Sequence, residues 1–418
     1  MLSKILETKL SIIKIIFFTC LFVITFNSIL YFLEKFVYGD RFLFDDLVLN
    51  YCAGILYSQN ISPYGFGLGK TPLIDCVKNV IGVDWGMPAY FYSTFYLRIL
   101  SILSDFSFNT VKNIWFVLCF FSFSLILFFS YKILPINKFK KTLPLIIFFS
   151  FGGILIKAFT SGNLSIFVYG LLSLSLFFLH KNYKIIFCSM IILISLVKPH
   201  HFIFLIIGIL VYEKEFLKYA IISTLIVIFI FFLEFTYNNE LFLSYLSNLH
   251  ASTTPEFFFS YNATVGLKSV IQNLPTNIAE QFNFYISAGP NLIKNLLWFF
   301  LTFFILIGSI LYRTTLKIKN LNNLQKSKLI AFGCITTTII NPNLAVYEFF
   351  LFIPSILFLI DNFKFKLSFL ESEKIKYLII LSFVIVQDIN FPLFCSAIVF
   401  FYILYYDFKK NDILIFKK

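Results

Sequence analysis

The sequence predicts an all-α, polytopic integral membrane protein with about 12 transmembrane helices. Three observations predict it. Hydrophobic residues make up 59% of the 418-residue chain and charged residues only 13%, whereas soluble domains carry roughly 25% charged residues. The mean hydropathy is +0.87. The apolar residues fall in long runs separated by short basic gaps. Together these exclude an ordinary soluble enzyme, a disordered chain and a disulfide-stapled secreted module.

A helix needs roughly 20 apolar residues to cross about 30 Å of hydrocarbon. The first run extends from about Leu10 to Leu33. It is too long for the apolar part of a signal peptide and lacks a small-x-small cleavage site, so it reads as an uncleaved helix. Further runs lie near 111–131, 142–159, 163–180, 185–198, 201–212, 218–236, 291–312, 329–340, 344–360, 377–390 and 392–407. One stretch, 88–103, is apolar but carries Arg98 and several Tyr and Ser. If it crossed, every later loop would change sides. Lys and Arg concentrate at 132–141, 181–184, 213–218, 313–328, 361–376 and the C-terminus. With the N-terminus cytoplasmic, these gaps fall on the inner side only when 88–103 lies on the surface or is re-entrant, so positive-inside counting selects that topology. Both termini are then cytoplasmic.

The chain therefore reads as a single membrane domain, 1–418, with two outer segments. The first, 34–110, carries short surface helices; the second is 237–290. Loops of this length in a compact bundle tend to carry function. The net charge of +13 is spread through the gaps between spans, which excludes a nucleic-acid partner and leaves membrane lipids. Cys20, Cys119, Cys188, Cys334 and Cys395 fall in apolar runs and read as packing residues. Cys52 and Cys76 share the first outer segment and are a candidate disulfide. No C-x-x-C or Cys/His cluster has metal-ligand spacing, so neither a metal nor a cofactor is expected.

The candidate chemistry sits at the outer ends of spans. Asp45 and Asp46 open a helical stretch in which Asp46 and Asn50 share a face. A carboxylate at a low-dielectric boundary suits a general base, although the same pair also suits a helix N-terminus. Lys198-Pro199-His200-His201 lies at a helix break, where cations can hold a phosphate or simply snorkel to the interface. Thr160-Ser161-Gly162-Asn163 is a turn whose Asn163 can bond across helices. Tyr261-Asn262-Ala263-Thr264 matches a sequon, a pattern common by chance. Asn341-Pro342 is followed by Tyr347 and Glu348, just inside the next span. Lys157, Lys198, Glu234, Glu348 and Asp388 all fall at or near outer ends of spans. Charges of both signs gathered on one side suggest an outward polar cavity.

Taken in order, these segments resemble glycosyltransferase family 87 of the GT-C superfamily. Asp46 to Tyr51, Ala53-Gly54 and Pro63-Tyr64 resemble the family's opening Asp-Phe-x-x-Tyr-Tyr…Ala-Gly…Pro-Tyr. Met87-Pro88, Ser161-Gly162-Asn163, Lys198-Pro199, Asn262-Ala263-Thr264-Val265-Gly266 and Asn341-Pro342 with Tyr347-Glu348 resemble its later motifs. The likeness covers about 40–360 and departs from the family at Asn50, at the missing Gln before Asn163 and at Lys268. It implies a GT-C-like fold. It also implies inverting, metal-independent transfer of a hexosyl group, often mannosyl, from a polyprenyl-phosphate donor to a lipid or glycan acceptor. The reaction would take place outside the cytoplasmic membrane. On this reading Asp46 or Asp45 is the base, and Lys198 with His200 and His201 holds the donor phosphate. Tyr51, Asn163, Asn262, Tyr347 and Glu348 line the substrate. The rival readings are a lipid-linked glycan flippase or transporter, and an O-antigen polymerase or ligase.

Overall fold

The computed structural model describes residues 45–65, 71–82, 90–251, 267–272, 290–315, 321–341 and 348–362, with parts of 12–33. Every regular element among the described residues is a helix. An apolar α1 (Lys14–Asn27) precedes three short helices, α2 (Asp45–Ser58), α3 (Pro72–Ile81) and α4 (Thr94–Ser101). Then follow α5 (Phe108–Lys132), α6 (Leu143–Ser161), α7 (Ser165–His180) and α8 (Lys184–Val197). A 3-10 turn (Pro199–Phe204) leads into α9 (Leu205–Tyr212), α10 (Lys214–Tyr237), α11 (Asn239–Ala251) and α12 (Leu267–Gln272). The last described elements are α13 (Pro290–Thr315), α14 (Asn323–Ile340) and α15 (Phe352–Asn362).

Local chemistry sets several boundaries. Ser93 and Ser107 cap α4 and α5 by accepting the amides of Tyr96 and Thr110, satisfying donors that lack intrahelical partners. Asn322 and Gln325 form a reciprocal capping box on α14. Gly162 ends α6 with φ 69°, a left-handed conformation that glycine reaches without a Cβ penalty. That tight stop leaves Asn163 beside the start of α7.

Among the described residues, three helices are long and apolar enough to cross a membrane by length and composition: Phe108–Lys132, Lys214–Tyr237 and Lys294–Thr314. Their outward faces carry exposed apolar side chains, among them Val117, Phe121, Ile228, Phe232, Phe299 and Phe304. A water-facing surface rarely tolerates such continuous patches, whereas hydrocarbon favours them. In contrast, α14 is buried on every face from Ser327 to Ile340, which makes it a central post.

The structure thus has the helices and the membrane character, with a coarser count of spans than the expected twelve. The apolar stretches 163–180, 185–198 and 201–212 give shorter helices. The stretch 201–212 begins in the 3-10 turn, and the described part of 344–360 is turn-like at 348–351 and α-helical from Phe352. Hydropathy registers a continuous apolar run whether or not the backbone breaks inside it. The runs at 377–390 and 392–407 lie outside the described residues. Within the ambiguous 88–103 stretch, α4 has eight residues, about 12 Å of helix, too short to cross. It packs instead against α2. Their approach is close enough that a Cβ at Gly54 would clash with the Leu100 backbone carbonyl. A disulfide between Cys52 and Cys76 staples α2 to α3, with Cα atoms 5.8 Å apart.

Candidate functional site

Five chain segments meet at one end of the bundle: the start of α2, the α6–α7 turn, the end of α8, the residue after α14 and the residues before α15. The Asp46 Oδ2 accepts from Asn163 Nδ2 at 2.7 Å. Asn163 Oδ1 in turn accepts the Ser165 amide at 2.8 Å, so the turn that follows Gly162 orients the amide in both directions. Lys198 Nζ donates to Ser165 Oγ at 3.2 Å and to Glu348 Oε1 at 3.1 Å. Asn341 Nδ2 holds the other oxygen, Oε2, at 2.7 Å. A continuous polar chain therefore runs from Asp46 through Asn163, Ser165 and Lys198 to Glu348. Asn163, Ser165, Asn341 and Glu348 are buried, and Lys198 is half-buried.

Burial raises the Asp46 carboxyl above the ordinary carboxylate range, because the ionised form loses water. The Asn163 hydrogen bond, the Lys198 charge and the Ser161 hydroxyl oppose that rise without cancelling it. Asn50, expected on the same helical face, ties its Nδ2 to the Asp46 backbone carbonyl at 2.9 Å. Asp45 opens α2 beside it.

Lys198 ends α8 in an extended conformation (φ −128°, ψ 99°), as expected of a residue before proline. This turns its side chain toward Tyr92, whose ring centroid lies 5.4 Å from Nζ, a cation–π contact. The segment around Tyr92 is pinned to the same helix end. The Ser93 hydroxyl donates to the Leu196 carbonyl, and the Ser93 amide to the Val197 carbonyl. Tyr64, Tyr90, Tyr92 and Tyr96 form a run of ring contacts beside it, with centroids 5.5–5.6 Å apart. His200 and His201 sit on the 3-10 turn, with ring centroids 4.3 Å apart. One ligand atom of each lies within 4.8 Å of the others and of a Glu348 oxygen.

The structure brings together Asp46, Asn163, Lys198, His200, His201 and Glu348. It does not bring Tyr51 to this chain of contacts. Its hydroxyl donates to the Phe106 carbonyl at 2.9 Å and its ring packs on Phe108, because five residues along α2 rotate it away from Asp46. Asn262 and Tyr347 lie outside the described residues, as does Asp388. Of the other charges at span ends, Glu234 pairs with Arg98 at 3.0 Å and Lys157 is exposed. Among the described residues, Lys198 and Glu348 of those five charges meet at this site, beside Asp46 and uncharged partners. Ser165 and Tyr92 went unrecognised in the sequence, since a small hydroxyl and one Tyr among 23 carry no positional signal. An open polar cleft of about 870 Å³ lies elsewhere, between the far end of α2 and the start of α11, lined by Tyr57, Asn60, Asp105, Asn238 and Glu240.

No protein-family model, curated protein or solved structure matches the chain.

Proposed function

We propose that the chain is a membrane glycosyltransferase that moves a hexosyl group, mannosyl by family likeness, from a polyprenyl-phosphate carrier to a lipid or glycan acceptor. The observation that carries this reading is the junction of Asp46 and Lys198 through Asn163 and Ser165. The acceptor hydroxyl attacks the anomeric carbon as the bond from that carbon to the phosphate oxygen breaks. Asp46 takes the hydroxyl proton, and polyprenyl phosphate leaves from the opposite face, so the sugar is inverted. Lys198 has three ammonium donors. Two are directed at Ser165 and Glu348, and the third serves a phosphate oxygen as negative charge builds there. This chemistry needs no metal to balance.

The reading places the Asp46–Glu348 end outside the cytoplasmic membrane. Its support is the crowd of basic groups at the other end, including Lys184, Arg313 and Lys326, which suits the cytoplasmic face. The test is reconstitution in lipid vesicles with a polyprenyl-phosphoryl hexose and candidate acceptors. Sugar transfer with release of polyprenyl phosphate supports the assignment. Movement of an intact lipid-linked sugar between leaflets, with no transfer, would replace it with a flippase.

A further inference from the structure

His201 is fully buried, and neither of its ring nitrogens has a hydrogen-bond partner; His200 Nε2 is likewise buried and unpartnered. Buried polar atoms are nearly always paired, and three imidazole nitrogens without a partner at one turn are groups that an occupant would satisfy. The third member of the group is Glu348, one of whose oxygens lies within 4.8 Å of a ligand nitrogen of each His. We propose that His200, His201 and Glu348 bind one divalent transition-metal ion of the zinc class. Two imidazoles and a carboxylate suit zinc and its neighbours, and three protein ligands leave a position open for an oxygen donor. Metal–nitrogen bonds of about 2.0–2.1 Å require the widest ligand pair to close by about 1.5 Å. Neither His201 nitrogen nor His200 Nε2 makes a hydrogen bond that would resist this rotation. Asn341, holding the second Glu348 oxygen at 2.7 Å, fixes the carboxylate as outer partners of metal ligands do.

Lys198 is the opposing element. Its ammonium sits 3.1 Å from Glu348 Oε1 and must withdraw toward Ser165 and the Tyr92 ring when a dication takes that oxygen. The site therefore has an unusual signature: loss of this neighbour strengthens binding, whereas loss of any ligand weakens it. The sequence concealed the grouping because Glu348 lies far along the chain from the His pair. The inference is independent of sugar transfer, since occupancy is read without activity.

The experiment uses full-length protein carrying no histidine tag, purified in detergent, stripped with chelator and titrated with Zn²⁺. Elemental analysis gives stoichiometry, calorimetry gives affinity, and Co²⁺ substitution gives a visible spectrum of the ligand set. One ion per chain is expected. His200→Ala, His201→Gln and Glu348→Gln should each weaken binding more than about 100-fold, beyond the loss typical of outer partners. Lys198→Ala should tighten it, and His180→Ala should leave it unchanged. Should His201→Gln not elute as a folded species, His200→Ala decides the matter, because that side chain is only half-buried. Absence of stoichiometric metal in wild type, or unchanged affinity in His200→Ala, overturns the proposal.

Discussion

The two ends of α8 use the same residue type for opposite purposes. At its start Lys184 pairs with Glu215 at 2.9 Å, and at its end Lys198 pairs with Glu348 at 3.1 Å. About 20 Å of helix separates them. Glu215 has a side-chain exposure of 77% and Glu348 of 1%. Around Lys184 the charged groups meet opposite charges or aromatic faces. Its ammonium lies 4.4 Å from the Tyr212 ring centroid, whose hydroxyl donates to the Leu179 carbonyl at 2.7 Å. Nearby, Arg313 binds Glu213 at 2.8 Å and the Leu210 carbonyl at 2.8 Å. Around Lys198 a raised carboxyl and orphaned imidazoles remain instead. One end completes its electrostatics within the fold; the other holds groups that a substrate or ion would complete.

The comparison breaks most sharply at Asp46. Asp46→Asn should lower the rate of sugar transfer by about 10²–10⁴-fold, the usual contribution of a general base, measured in reconstituted vesicles. Wild-type turnover in that variant would remove Asp46 from the chemistry. The same change should not lower stability. Burial lifts the folded pKa above the unfolded one, so the ionised form opposes folding above that folded value, and the cost disappears as pH falls through it. The activity of wild type should rise with pH through that same raised value. Asn163→Ala removes a bond that favours the ionised form, and should move this acid limb to still higher pH. A limb unmoved by Asn163→Ala would mean that another group titrates there.

The next effect is one of stability. Glu348→Ala leaves Lys198 without its acidic partner among buried groups, and breaking a buried pair in this way costs about 3–5 kcal/mol. Thermal unfolding in detergent checks this. A shift no larger than that of a surface variant would mean that water reaches Lys198. The disulfide comes next. Cys52→Ser should cost about 2–4 kcal/mol, because the crosslink constrains the unfolded chain between α2 and α3. Alkylation without reductant should leave both thiols unlabelled.

The sequence made one layer of this contrast readable. Lys198 and Glu348 were legible as charges of both signs near the outer ends of apolar runs, and Asp46 as a carboxylate opening a helical stretch just beyond the first run. The helices α5, α10 and α13 were legible from long apolar runs alone. The links between the charges were not. Ser165 follows the Gly162 turn and becomes a ligand of Lys198 only because α7 and α8 lie side by side. Tyr92 reaches Lys198 because Ser93 is bonded to the end of α8. The His200–His201–Glu348 grouping has no spacing to read, since it exists only where separate segments meet. Tyr51 is the reverse case: family likeness placed it with Asp46, whereas helical rotation turns its hydroxyl to the Phe106 carbonyl.

The smallest effect belongs to the cationic end, and it sharpens the contrast by its size. Glu215→Ala should leave the melting temperature unchanged within error, because an exposed pair gains little in water and gives up side-chain freedom to form. Salt separates the two ends further. The Debye length shortens from about 10 Å at 0.1 M to 3 Å at 1 M, so high salt erases what Lys184 and Glu215 contribute. The Lys198–Glu348 pair, with Glu348 buried and Lys198 half-buried, should keep most of the Glu348→Ala destabilisation at 1 M salt. If that destabilisation collapsed in high salt, ions would be entering the cluster freely. The difference between the two ends of α8 would then be one of degree and not of solvent access.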